Sequence, residues 1–223
     1  MRRKPHGLDL RVDGTLASSY RPGRSAGPVW DALAAPLLAV PEARRRRVLI
    51  LGLGGGSAAR VARALAPGAL IVGVERNADV LQAARRHFEL DALRIELVVG
   101  DALEYLEGES RQFDAVIEDL FLGSVKSVRK PDWLPRPGFD LAARRLARGG
   151  VLSSNTIHET PAVLRAFRRL FGTVLSIGVK GHYNHILAGG PGGLAAPALR
   201  RRCAAHPLLA PSLSVLSFRT LQA

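Results

Sequence analysis

The chain has 223 residues, 47% hydrophobic and 23% charged, a globular composition that excludes a wholly disordered protein. Its one cysteine, Cys203, excludes an intrachain disulfide and a cysteine-built zinc site, and no apolar run approaches the ~18 residues of a membrane helix. The charge balance is 32 − 19 = +13, which raises a nucleic-acid partner as a question without answering it, because net charge speaks to non-specific binding and not to fold.

Met1-Arg2-Arg3-Lys4 is a basic start, but Pro5, His6 and Asp9 stand where a signal peptide would carry its apolar stretch. A cytoplasmic protein is therefore expected. Leu8 to Tyr20 predicts a hairpin, with Leu8, Leu10 and Val12 alternating before an Asp13-Gly14 turn. Arg21-Pro22-Gly23 breaks the chain, and Val29 to Val40 carries a helical apolar pattern closed by Pro41.

From Arg47 the rhythm becomes strand, then helix. Val48 to Leu51 predicts a buried strand, followed by the loop Gly52-Leu53-Gly54-Gly55-Gly56 and a helix stopped at Pro67-Gly68. Leu70 to Val74 is the next strand, and Asn77 caps a helix to about Phe88. Strands are expected at Arg94 to Val99, Phe113 to Ile117 and Val151 to Asn155, with helices opening at Asp101, spanning Phe139 to Ala147, and starting at Thr160-Pro161. Fully apolar strands alternating with helices predict a parallel sheet covered on both faces.

Val174 to Val179 and His185 to Ala188 have only five residues between them, too few for a parallel crossover, so they pair antiparallel. The expected fold is therefore α/β: a doubly wound, mostly parallel seven-stranded sheet of the class I methyltransferase, Rossmann-like kind. A terminal antiparallel hairpin closes it, and a small β-hairpin precedes it. The organisation reads as an N-terminal hairpin-and-helix appendage (1–43), a nucleoside-binding α/β domain (44–193), and a C-terminal helix and tail (194–223). That tail holds an Arg-rich helix, Ala196 to Ala205, and an apolar stretch from Leu213 to Leu221.

The chemistry-bearing positions fall at strand ends. Gly52, Gly54, Gly55 and Gly56 let backbone approach a ligand closely and aim helix N–H groups at it, although Ser57 stands where a dinucleotide fingerprint has its third glycine. Glu75 lies 23 residues after Gly52, at the end of the second strand, where an acid can accept both hydroxyls of a ribose; Arg76 follows it. Asp101 and Ala102 end the third strand, where a carboxylate can accept from an adenine amine, and the same Asp101 can cap the following helix. This order favours a nucleoside-sulfonium ligand over NAD.

Glu118 and Asp119 end the fourth strand at the crevice edge, and alternation from Val116 favours Asp119 as the group that orients, deprotonates or electrostatically holds a nucleophile. The long loop Leu120 to Pro137 is of the length of lids and binding loops. His182 and His185 point to opposite faces of a strand and make no metal pair; Trp30 and Trp133 read as packing residues; His158-Glu159 reads as a helix start that can touch an acceptor.

From about Leu10 to Asn155 these residues resemble the spermidine synthase (polyamine aminopropyltransferase) family. Val12-Asp13-Gly14 is similar to its N-terminal hairpin, and Val29 to Pro36 stands where the family has its Tyr-His-Glu-Met-Leu helix, with Asp31 in the place of the Glu. Gly52 to Gly56, Glu75, Gly100-Asp101 and Asp119 fall at nucleoside-binding and catalytic places of the family. The resemblance implies adenosylmethionine or its decarboxylated form as co-substrate, with no metal. Glu75 would hold the ribose, Asp101 and Ala102 the adenine, and Asp119 the amine being alkylated.

The family's second loop acid falls at Leu122, its hairpin Gln at Ala17, and the N-terminal β domain is shortened to about one hairpin. A polyamine site would then need Glu104, Glu107, Glu109, Glu118 and Asp119 for local acidity. The expectation is a spermidine synthase-like transferase moving an aminopropyl or other alkyl group to a small-molecule acceptor. Methyl transfer to an unidentified small or anionic acceptor and a non-catalytic nucleoside-binding protein are the alternatives. A homodimer is leaned to through the resemblance. A nucleic-acid-modifying enzyme using the Arg44 to Arg47 and Arg200 to Arg202 runs is the lesser reading, because the basic excess is nearly all arginine in an Ala-, Gly- and Pro-rich chain. No membrane partner is expected.

Overall fold

The computed structural model describes residues 1–4, 7–190 and 194–221; Pro5, His6 and the expected boundary at 193 lie outside the described residues. The chain opens with a three-stranded antiparallel sheet, β1 (Arg2–Lys4), β2 (Gly7–Val12) and β3 (Thr15–Tyr20). Its β2–β3 turn has positive φ at both Asp13 (48°) and Gly14 (80°), the tight hairpin geometry that matches strand twist.

Helix α1 (Pro28–Ala34) follows, and the expected single helix to Val40 divides here. Ala35–Ala39 is 3-10, because Pro36 has no N–H to continue the α pattern. This segment covers one face of the main sheet, and the Leu33 carbonyl accepts from Ser153 Oγ at 2.9 Å.

The parallel core alternates β4 (Arg47–Leu51), α2 (Ser57–Leu65), β5 (Leu70–Glu75), α3 (Ala78–His87), β6 (Ile95–Val99), α4 (Ala102–Gly108), β7 (Phe113–Glu118), α5 (Gly138–Arg144), β8 (Leu146–Thr156) and α6 (Thr160–Phe171). Then come β9 (Val174–Val179), β10 (His185–Gly189), α7 (Ala196–Ala205) and β11 (Leu216–Leu221). The sheet order is β11-β9-β10-β8-β7-β4-β5-β6, with β4 to β8 parallel and the rest antiparallel.

The sheet thus has the expected seven strands and one more. The apolar C-terminal stretch, expected as a tail, pairs with β9 from Leu216 to Leu221 as an eighth, edge strand. A second difference concerns β8, which begins at Leu146, inside the expected Phe139 to Ala147 helix. Gly149 (φ 76°) and Gly150 form an irregularity in the β7–β8 ladder, and a Cβ on Gly150 would lie 3.0 Å from the carbonyls of Ala147 and Phe113.

Side chains alternate between two cores. Val48 and Ile50 point toward α1, α2, α3 and α7, while Leu49 and Leu51 point toward α4, α5 and α6. The order reverses between β4 and β7, so their carboxyl ends form the crevice where open α/β sheets bind ligands.

Two buried carboxyls fix what surrounds that crevice. Asp31 on α1 is fully buried and accepts from Ser25 Oγ and from Ser212 Oγ (2.5 Å), tying α1 to the 3-10 turn Ala210–Ser214. Asp31 therefore anchors the C-terminal segment and does not stand in the crevice as a substitute acid. Glu118 is also fully buried: its Oε1 accepts from Lys130 Nζ (2.6 Å) and Leu120 N (2.6 Å), and its Oε2 from Ser154 Oγ (2.5 Å). Lys130, 2% exposed, also donates to the Leu120 carbonyl at 3.0 Å and lies over the Phe121 ring. The long loop is thereby pinned from beneath.

Burial raises the Asp31 carboxyl above its ordinary value, against the two serine donors, which lower it. A group raised on folding contributes its full stability below the unfolded value and loses it as pH rises through the folded one. Asp31→Asn is therefore expected to gain stability relative to the parent as pH rises from the ordinary carboxylate range, read as thermal midpoints from pH ~4 upward. Lys130→Met strips Glu118 of its counter-charge, and urea unfolding should show a loss of about 3–5 kcal/mol, partly recovered when Glu118→Gln is added.

Candidate active site

The glycine loop leaves β4 with positive φ at Gly52 (83°), Gly54 (54°) and Gly56 (84°). Gly52 lies against the β7 end: a Cβ there would sit 2.8 Å from the Asp119 carbonyl oxygen. Asp119 N donates to Leu51 O at 2.9 Å, joining the two strand ends.

The loop's amides do not point at open space as expected. Gly52 N and Leu53 N donate to Val74 O, each at 3.0 Å, and Gly56 N donates to Leu53 O at 2.9 Å. Gly54 N donates to Glu75 Oε2 at 2.9 Å, and Gly55 N to Ser18 Oγ at 2.7 Å. The N-terminal hairpin supplies Ser18 by docking on the start of α2, where Ser57 Oγ exchanges two 2.9 Å hydrogen bonds with the Ser19 backbone. Ala17 lies at this same contact, its carbonyl 3.3 Å from where a Gly54 Cβ would be. The loop therefore offers a ligand close backbone approach rather than free donors.

Glu75 is half-buried at the end of β5, with Oε2 on Gly54 N and Oε1 on Asn77 N (3.0 Å). Each oxygen keeps a further lone pair, so the carboxylate is held rigidly with acceptor capacity to spare. Arg76 beside it is exposed. Asp101 caps α4 by accepting from Leu103 N at 2.7 Å through Oδ1, and Ala102 behind it is buried. Capping thus uses one of the two Asp101 oxygens.

Asp119 is half-buried at the crevice. Its Oδ1 accepts from Asn155 Nδ2 (2.7 Å) at the end of β8, and its Oδ2 from Trp30 Nε1 (3.1 Å) on α1. Asn155 Oδ1 in turn accepts from Asn184 Nδ2 (2.9 Å) in the β9–β10 turn. Both donors to Asp119 are N–H groups that accept no proton in exchange, so they orient the carboxylate and favour its charged form. Desolvation outweighs them and the nearby Lys130 charge, and the carboxyl is raised above its ordinary value.

Trp30, Asn155, Asn184 and Ser18 were missed by sequence reasoning. The signal for Asn155 was the polar run Ser153-Ser154-Asn155-Thr156 closing an apolar strand; Trp30, read as packing, carried none.

The expected acidic set does not gather around Asp119. Glu118 is turned inward under Lys130, Glu109 faces Arg111 and Tyr105, and Glu104 and Glu107 are exposed on α4. Glu159 holds the long loop through Lys130 N (3.0 Å), while His158 is exposed. The loop tip, Val125, meets the hairpin turn at Gly14. Trp133 packs against Gly138, and His182 lies in the turn before β10. Among the described residues no group of three or more His, Cys, Asp or Glu is placed to hold a metal ion, and no helix is long and apolar enough to cross a membrane.

Residues 48–150 match the model of a methyltransferase domain. The polyamine aminopropyltransferase of Mycobacterium tuberculosis is 34% identical over 199 residues, covering 80% of this chain; the chain spans only 36% of that relative's length. Among solved structures, a probable spermidine synthase from Corynebacterium glutamicum superposes with a TM-score of 0.74 at 21% identity, over 96% of this chain and 83% of that one. Human methyltransferase-like protein 13, solved with SAH, superposes at 0.62 and 23% identity, over 83% and 89% of the two chains. The relatives are transferases of two kinds on one architecture, and this chain is spermidine synthase-like in sequence with the class I methyltransferase fold.

Proposed function

We propose that the protein is a transferase that moves an aminopropyl group from decarboxylated S-adenosylmethionine to a small amine acceptor. The observation that carries this reading is Asp119, a single oriented carboxylate at the crevice between β4 and β7, set by Trp30 and Asn155. In this reading Glu75 takes the ribose hydroxyls, and Asp101 with Ala102 faces the adenine. The acceptor nitrogen's lone pair forms the new bond to the carbon beside sulfur. The carbon–sulfur bond breaks, its electrons return to sulfur, and the sulfonium becomes a neutral thioether. Asp119 holds the N–H side of the nucleophile and receives the proton, and positioning supplies most of the acceleration.

The decarboxylated donor is favoured by the satisfied loop. All five amides from Gly52 to Gly56 already have protein acceptors, so a donor carboxylate meets no free N–H there. Methyl transfer from intact S-adenosylmethionine is the second reading. It is favoured by Leu122 and Ala17, which leave one carboxylate where a dicationic acceptor would call for several. The acceptor under either reading is a small molecule, and a cytoplasmic setting is part of the proposal.

Calorimetric titration with S-adenosylmethionine, its decarboxylated form and methylthioadenosine distinguishes these readings. Tighter binding of the decarboxylated donor is the expected result; preference for the intact donor moves the assignment to methyl transfer, and silence from all three sinks the nucleoside site. Asp119→Asn is expected to lower kcat/KM by about 10²–10⁴ while donor affinity is kept. Because Asp119 acts ionised and its carboxyl is raised, kcat/KM should fall toward acid with a midpoint above the ordinary carboxylate range. Trp30→Phe removes a donor that favours the charged form, so that midpoint should move to higher pH.

A further inference from the structure

The two arginine runs, far apart in sequence, meet at one place in the fold. Arg44 to Arg47 leads into β4 at the end of the parallel strands remote from the crevice, and Arg202 lies on α7. Both insert into the same connecting segment: Arg202 Nη1 donates to Leu38 O at 2.6 Å, and Arg45 Nε donates to Val40 O at 2.9 Å. Arg45 is held below its ordinary pKa, chiefly by burial and further by the Arg202 charge, while Glu42 acts the other way. Arg44 extends the patch across the sheet by donating to the carbonyl of Arg148, at the β8 irregularity.

These guanidinium groups are anchored on backbone carbonyls and not on acids. Among the described residues, the ion pairs of this protein involve other cations: Arg85, Arg111, Arg129, Lys130, Arg136 and Arg169. Glu42 lies beside Arg45, and Asp114 Oδ2 accepts from Arg46 N and Arg47 N at 2.9 and 3.0 Å. Carbonyl anchoring fixes the side chains and leaves their charge largely in place, so the rim is a preorganised positive surface.

We propose that this rim binds the phosphate backbone of duplex nucleic acid, tethering the protein through a surface separate from the crevice. Arginine is the residue suited to phosphate by geometry and persistent charge. A single strand would call for stacking aromatics, and a membrane surface for exposed apolar side chains. Among the described residues the exposed large apolar side chains are Met1, Leu16, Leu70, Val99, Val125 and Tyr183, of which only Leu70, 39% exposed, starts a parallel strand at this end. The rim lies at the opposite strand ends from Gly52 and Asp119, so the nucleic acid is held and not modified. This inference does not depend on the chemistry at Asp119.

The test is fluorescence anisotropy of a labelled duplex of about 20 base pairs, titrated with protein between about 50 and 200 mM salt. Arg44→Glu/Arg202→Glu takes one exposed arginine from each run, both anchored at the rim; Arg165→Glu/Arg168→Glu, on α6, makes the same change of net charge elsewhere. The rim variant is expected to bind at least about tenfold more weakly, with a salt slope shallower by about 2, while the α6 variant stays within about threefold of the parent. Equal loss in both variants overturns the proposal, since net charge alone would then account for binding. A flat salt response, or tighter binding to anionic lipid vesicles than to the duplex, overturns it as well. Donor titration of the rim variant, expected unchanged, reports an intact fold.

Discussion

The Glu118–Lys130 pair is the constraint on which the β7 side of the crevice depends. Glu118 Oε1 takes both the Lys130 ammonium and the Leu120 amide, which bends the chain sharply just past β7. Asp119, between the acid and that amide, is thereby turned to the crevice while its neighbour faces the core. Lys130 is itself tied to α6 by Glu159, so the loop leaving the crevice returns to it with little freedom. A buried pair of this kind adds little net stability, because desolvation offsets most of the attraction. Its use is registry: it fixes the backbone turn that brings the Asp119 carboxylate within reach of Trp30 and Asn155, which set its aim.

The glycine-loop side is set differently, by close packing of backbone on backbone. The glycine loop is held between β5, β7 and the N-terminal hairpin, and Ser18 enters it as though the hairpin were part of the loop. Saturated amides make the loop stiff and remove it as an anion cradle. In the function proposed above, recognition of a nucleoside then falls to the carboxylates Glu75 and Asp101, which flank the loop on successive strand ends. Both are already aligned by protein N–H groups, so little ordering cost remains for a ligand.

Much of this was legible in the sequence because its signals are local. Apolar runs at strand length, Asn77 and Asp101 as caps, and the short link between β9 and β10 each carry their own physical reason. Asp119 was legible for the same reason, since strand alternation alone turns one of two adjacent acids outward. What was not legible came from long-range partners. Trp30 is a packing residue by composition and a carboxylate donor only because α1 crosses the end of β7. Leu216–Leu221 has an ordinary apolar pattern, and nothing within it says that β9 lies within reach. The Gly149-Gly150 irregularity concealed the start of β8, because two glycines after a helix read as an exit from structure and not as part of a strand.

The distribution of charge follows from the same topology. Parallel strands bring one set of chain ends to the crevice and the other set to the opposite rim, and the two sets differ in chemistry. Acids at strand ends, Glu75, Glu118 and Asp119, meet at the carboxyl side. The arginines precede β4 or occupy α7 and meet at the amino side. A bias toward arginine codons can raise the number of arginines, but it does not bring two distant runs into one surface. Nor does it account for their partners. The C-terminal turns of helical segments leave unsatisfied carbonyls, and guanidinium groups bind them well without being neutralised. Arg45 on Leu65 O and Arg202 on Leu38 O are contacts of this type. Such anchoring satisfies the fold's own polar groups first, and the positive field that survives at the rim is then available to an external polyanion.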